Sequence, residues 1–85
     1  FEYHSQQGEV NGLDFSPDSS VLASTGDDGT VLLWDLRRST ERLRFKAHEK
    51  LAFQVLFVQG GRILATCGTD SVIRLWDAAD GTPRG

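Results

Sequence analysis

The sequence has no methionine, one cysteine and two prolines. With no initiator residue, the 85 residues are expected to be a cut or processed piece of a longer chain. A lone Cys67 excludes an internal disulfide framework, and with it the small secreted scaffolds that depend on one. Long apolar runs are missing too: residues 51–58 are broken by Gln54, far short of the roughly 20 apolar residues a membrane helix needs. No cleavable signal pattern opens the chain, so neither a membrane nor a secretory route is expected. Positive charge is not in excess, since nine basic against twelve acidic residues leave a net charge of −3, which disfavours a general nucleic-acid binder. Nor is there a Ser-rich or acidic tract to make a disordered linker. What remains is a chain long enough for one small core.

What the chain does have is an internal repeat. Trp34-Asp35 returns as Trp76-Asp77, 42 positions on, and the same offset carries Gly26 onto Gly68, Asp28 onto Asp70 and Leu22-Ala23 onto Leu64-Ala65. Over the fifteen positions 21–35, seven are identical in the second copy. Upstream the offset pairs Leu13 with Val55 and Phe15 with Phe57, and even Phe1 and Tyr3 with Leu43 and Phe45. The repeat covers nearly the whole chain.

Its content is β throughout. Short runs rich in β-branched and aromatic residues span 10–15, 21–25 and 30–34, then 52–58, 63–67 and 72–76. Between them stand turn residues: Ser16-Pro17-Asp18-Ser19, Gly26-Asp27-Asp28-Gly29, Gly60-Gly61 and Asp70-Ser71. Pro17 presets its own φ, and Gly29 tolerates a positive φ after Asp28. Residues 42–46 alternate polar and apolar with period two, as a strand with one buried face does. Four strands per repeat result, and no segment has a helical period. The fold class is all-β.

These features resemble the WD-repeat β-propellers, whose blades are four-stranded antiparallel sheets of about 40–45 residues around a central channel. The second copy carries Ala47-His48 where that family has Gly-His, with Asp70, Thr66 and Trp76 at the family's spacings. The resemblance implies a structural tetrad there: Trp76 indole to Thr66 hydroxyl, Thr66 to His48, His48 to Asp70. Such groups are costly to bury unpaired. The first copy keeps Ser24, Asp28 and Trp34, but Gln6 stands at the histidine's place and His4 lies two residues before it.

Thr66, His48 and Asp70 also look like the hydroxyl, imidazole and carboxylate of a nucleophilic enzyme. A threonine held by a tryptophan inside a packed sheet is not an exposed nucleophile, so the structural reading is preferred and no enzyme is expected. His4, His48 and Cys67 lack metal-ligand spacing, and Cys67 at mid-strand is expected to be a small buried apolar group. Gly60-Gly61 is followed by no Lys-Ser pair or helix, so it does not form a phosphate-cradling loop. No metal or cofactor is expected.

Arg37, Arg38, Arg42, Arg44 and Lys46 put five of the nine basic residues within ten positions. On an outermost strand such charges discourage edge-to-edge pairing; the alternative is a docking surface for an acidic partner. Trp34-Asp35-Leu36-Arg37 resembles the box by which some WD-repeat proteins dock onto the adaptor of cullin-type ubiquitin ligases, with Arg37 as the charged contact. The second copy, Trp76-Asp77-Ala78-Ala79, lacks it.

The resemblance implies a non-enzymatic protein-interaction scaffold, part of a larger propeller. Family partners bind the face around the channel, which carries over to Leu51, Phe53 and Thr69 in the second copy and to Glu9, Asn11 and Asp27 in the first. Phe53, an exposed aromatic at a channel rim, is the candidate hot spot; blade-to-blade packing is its alternative role. The expected organisation is an outer strand of a preceding blade plus a first blade over 1–46, and a second blade lacking its outer strand over 47–85. This is a fragment of two four-stranded antiparallel blades with the outer strand permuted to the front. Two blades cannot close a ring, so the partners are further blades of the same propeller, other proteins, or copies of the chain. Three copies would make six blades and four would make eight. A reducing compartment, cytoplasmic with nuclear as the alternative, suits the family and the single cysteine.

Overall fold

The computed structural model describes Glu2 and residues 8–84. Eight strands follow in order: β1 (Val10–Phe15), β2 (Val21–Gly26), β3 (Thr30–Asp35), β4 (Thr40–Lys46), β5 (Ala52–Val58), β6 (Ile63–Gly68), β7 (Ile73–Asp77) and β8 (Pro83–Arg84). They form two four-stranded antiparallel sheets, β1-β2-β3-β4 and β5-β6-β7-β8, each a simple meander. The all-β, two-blade architecture is the one the repeat implies.

The meander is written in the turns. Aspartate after aspartate accepts the backbone N–H two residues on: Asp18 from Ser20, Asp28 from Thr30, Asp35 from Arg37, Asp70 from Val72, Asp77 from Ala79 and Asp80 from Thr82. Each carboxylate thereby closes a local turn that competes with continued strand. Gly29 takes φ +83°, and a Cβ there would collide with the His48 carbonyl oxygen. The segment joining the two sheets lies directly on this turn, with the Ala47 and His48 N–H groups both donating to the Gly29 carbonyl.

The core lies between the sheets. Val21, Ala23, Val31 and Leu33 of the first meet Val55, Leu64, Trp76 and Ala78 of the second, with Leu43, Phe45 and Phe57 packed around them. The Phe45 ring lies 4.9 Å from that of Trp76. Two side chains of β1 also knit the sheets along the edge of β5. Asp14 accepts from the Phe57 N–H at 2.7 Å, and Asn11 donates to the Ala52 carbonyl at 3.1 Å. Both satisfy backbone groups on a strand edge that would otherwise need water.

The second repeat was expected to lack its outer strand, and here the structure differs. Pro83–Arg84 pair with β7, opposite Trp76 and Leu75. The physical cause is the turn before them: Gly81 at φ +77° donates to the Asp77 carbonyl while Asp77 N–H donates to the Thr82 carbonyl, and this reverses the chain within a few residues. The expected strand through Phe1, Tyr3 and His4 lies outside the described residues, as does Gln6.

Candidate functional site

A meander of this kind has two ends. At one lie residues 8–9, the β2–β3 and β6–β7 turns and the segment between the sheets; at the other lie the β1–β2, β3–β4, β5–β6 and β7–β8 turns. The sequence-derived residues divide between them.

From the first end into the second sheet, Asp70, His48, Thr66 and Trp76 form one continuous chain. Trp76 Nε1 donates to Thr66 Oγ1 at 2.9 Å, Thr66 Oγ1 lies 3.0 Å from His48 Nε2, and His48 Nδ1 lies 3.0 Å from Asp70 Oδ2. Along these four residues one proton arrangement pairs each donor with an acceptor: Trp76 Nε1–H donates to Thr66 Oγ1, Thr66 donates to His48 Nε2, and His48 Nδ1–H donates to the Asp70 carboxylate. His48 and Thr66 are buried, whereas Asp70 reaches the surface. The His48 hydrogen bond, reinforced by Arg74, holds the Asp70 carboxyl far below the ordinary carboxylate range.

Arg74 is the member that sequence reasoning missed. Its Nη1 donates to Asp70 at 2.5 Å and lies 3.0 Å from His48 Nδ1. In the first repeat the matching position is the buried Leu32, so the signal was available as a polar substitution in an otherwise apolar strand, four residues after Asp70.

The first repeat shares part of this arrangement. Trp34 Nε1 donates to Ser24 Oγ at 3.1 Å, which matches the Trp76–Thr66 bond. Asp28, however, turns to Thr30 and accepts from both its N–H and its hydroxyl.

The rim residues gather at the same end. Glu9 and Leu51 are equivalents, each accepting through its carbonyl from the N–H of the turn residue, Asp27 or Thr69. Asn11 donates to the Asp27 carboxylate as well as to Ala52. Phe53 occupies Asn11's place in the second repeat and is 47% exposed.

Arg37 lies at the opposite end, exposed on the β3–β4 turn with its N–H held by Asp35. The basic cluster around it is dispersed: Arg44 pairs with Glu41, and Arg38 leans toward Asp35 at 4.0 Å. Cys67 is a free thiol and only partly buried, contrary to its expected place in the core. It pairs with Ile73 on the face of the second sheet that no described residue covers. Among the described residues no group of His, Cys, Asp and Glu is arranged to hold a metal ion, and no helix is long and apolar enough to cross a membrane.

Comparison with known proteins agrees with this architecture. The family described as "WD domain, G-beta repeat" matches residues 1–35 and again 39–77. The chain is similar to the small ribosomal subunit protein RACK1 of Neurospora crassa, 41% identical over 44 residues, which is 52% of this chain and 14% of that protein. It is similar to the APC/C activator protein CDC20 of Saccharomyces cerevisiae, 46% identical over 41 residues, 48% of the chain and 7% of the relative. A third relative is pre-mRNA-processing factor 17 of Homo sapiens, 37% identical over 51 residues, 60% of the chain and 9% of the relative. The chain thus spans only a small part of the length of these relatives. Two matched repeats, two four-stranded sheets and Trp-Asp closing the third strand of each show that the chain belongs to the WD40 repeat family.

Proposed function

We propose that these repeats are adjacent blades of a non-enzymatic scaffold that binds protein partners at the end carrying Glu9, Asn11, Asp27, Leu51, Phe53 and Thr69. The observation that carries this reading is the fate of the polar groups. Thr66 and His48, the residues with chemistry to offer, are buried and hydrogen-bonded to one another and to Trp76 and Asp70, leaving no exposed nucleophile in this network. The uncommitted surface is a rim of varied polarity, acidic-polar on one blade and apolar on the other. The names of these relatives are compatible with such a role, since they describe a protein of the small ribosomal subunit, an activator protein and a processing factor. Phe53→Ala and Thr69→Ala should abolish co-purification of the partner with the protein while its thermal transition stays unchanged. Partner binding insensitive to both variants would reject this end as the docking face.

A second reading rests on the sheet faces. Leu13 and Phe15 on one side, and Ile73 and Leu75 on the other, are exposed. Their repeat equivalents Val55 and Phe57, and Val31 and Leu33, lie in the core between the sheets or pack against it. The two open faces are therefore complementary to each other. Further blades of a longer chain cover them in the reading we prefer; three or four copies joined head to tail would cover them in the alternative. Light scattering distinguishes these, a discrete trimer or tetramer of the 85 residues supporting self-assembly. Arg37 suits the ubiquitin-ligase adaptor reading to the extent that it is exposed; loss of adaptor binding in Arg37→Ala is the result that reading requires. A reducing compartment, cytoplasm or nucleus, accompanies either case.

A further inference from the structure

At the end opposite the rim, the two sheets leave a groove of about 660 Å³ between the β1–β2 turn, the β5–β6 turn and the outer strands. Its apolar side is Val21, Phe57 and Ile63; its polar side holds three arginines, Arg42, Arg62 and Arg84. Every one of these residues belongs to the two blades themselves.

Arg42 is there because of an irregularity in β4. Leu33 faces Leu43 and Trp34 faces Glu41, which leaves Arg42 as an extra, unmatched residue. In a regular strand Arg42 would point away from Leu43 and Phe45, which pack on the core. A bulge re-aims such a side chain, and this one turns Arg42 toward the second sheet. Its repeat equivalent shows what the same residue does otherwise: Arg84 folds onto Asp77 at 3.1 Å. Arg42 has no such bond among the described residues; Asp35 is engaged by the Arg37 and Arg38 N–H groups and faces the Arg38 guanidinium. Arg62 donates through Nε to the Gln59 carbonyl at 3.3 Å, which leaves its terminal nitrogens for the groove. Neither carboxylate of the groove is bonded to Arg42 or Arg62. Asp77 holds Arg84, and Asp18 Oδ1 accepts from Ser16 Oγ and from the N–H and hydroxyl of Ser20.

We infer that this groove docks an acidic peptide segment of a partner protein, with Arg42 and Arg62 receiving Asp or Glu carboxylates and the Phe57 side taking an apolar residue between them. Guanidinium groups with free terminal nitrogens lining one groove suit planar carboxylates in forked hydrogen bonds. The chain's net charge of −3, with Asp18 and Asp77 flanking the groove, sets it against a long polyanion such as nucleic acid. The site is separate from the rim proposed above and can stand or fall without it.

The test is fluorescence anisotropy of the protein with a fluorescein-labelled peptide bearing one leucine between two pairs of glutamates. Saturable binding should weaken about fivefold or more in Arg42→Glu and in Arg62→Glu, and as salt is raised from low to physiological. The milder Arg42→Gln and Arg62→Gln should lose less and keep the wild-type thermal transition, separating lost contacts from lost fold. Arg44→Glu on the same strand, and Phe53→Ala at the other end, should leave affinity unchanged. Absence of saturable binding, equal loss in Arg44→Glu, or equal affinity for a lysine version would overturn the inference. Saturation only by a phosphoserine version of the peptide would overturn the carboxylate assignment.

Discussion

The same side-chain positions meet opposite fates in the two repeats. Val31 and Leu33 are 0% exposed, while Ile73 and Leu75, 42 positions on, are 75% and 43% exposed. Nothing in their chemistry separates them; the difference is a neighbouring sheet. A blade is thus a half-finished object, with an apolar face on each side that only the next blade satisfies. The seam that does exist is not purely apolar, since Asn11 and Asp14 bond across it to β5. Their equivalents are Phe53 and Leu56, both exposed and neither able to make such a bond. The open face of the second repeat is therefore greasier than the closed face it repeats, and whatever covers it must meet it by packing.

The turns sharpen the comparison most. Gly29 sits under the segment that joins the blades, with the His48 and Lys50 carbonyl oxygens standing where a Cβ would need room. Gly29→Ala therefore requires backbone movement as well as a strained φ, and should cost about 3 kcal/mol or more in urea-unfolding experiments. A loss under about 1 kcal/mol would mean that the blades are less tightly seated than this close approach requires.

The next effect separates the two polar networks. Thr66→Val leaves both the Trp76 N–H and His48 Nε2 without their shared partner inside the sheet, and should cost about 2–4 kcal/mol. Ser24→Ala breaks the matching Trp34 bond and should cost at least about 1–2 kcal/mol. A loss under about 1 kcal/mol in Thr66→Val would show that the histidine adds nothing to the second blade.

A pH series isolates the acidic end of the same network. The Asp70 carboxyl, held low by His48 and Arg74, binds its proton more weakly in the folded state than in the unfolded chain, whose ordinary value is 3.8. Its stabilising contribution is complete above that value and is lost as pH falls below it. The wild type should therefore lose stability from about pH 4 downward more steeply than Asp70→Asn, the two curves converging in acid. Asp18, lowered to about 2 by the Ser20 and Ser16 hydrogen bonds, titrates in both proteins and drops out of the difference. Parallel curves would exclude Asp70 as the titrating member.

Much of this was legible in the sequence, for a physical reason. The 42-residue period, the period-two alternation and the aspartate turns mark the strands, while the Trp76, Thr66, His48, Asp70 chain was legible only through the resemblance to the WD-repeat family. What escaped depends on neighbours far along the chain. Cys67 was expected in the core because a mid-strand thiol usually is, but its face has no described sheet upon it. Arg42 read as one of a run of surface charges, because a bulge is a property of two paired strands and cannot be seen in one of them. The two-residue β8 escaped because its pairing is made by the Gly81 turn rather than by any strand-like composition of Pro83–Arg84.

The smallest expected effect lies at the β2–β3 and β6–β7 turns, where two of four residues differ between the repeats. Ser71 replaces Gly29 and keeps its left-handed backbone, at φ +62° against +83°. A residue with a Cβ is strained there by roughly 1–2 kcal/mol, which glycine avoids; glycine in turn loosens the unfolded chain by about 0.4–1 kcal/mol. Ser71→Gly should therefore stabilise the protein by about 0–1.6 kcal/mol, seen as a small upward shift in the unfolding midpoint. The sign is the informative part. A destabilised Ser71→Gly would mean that the serine holds the turn through its side chain, so that the second repeat has replaced glycine's backbone freedom with a contact of its own.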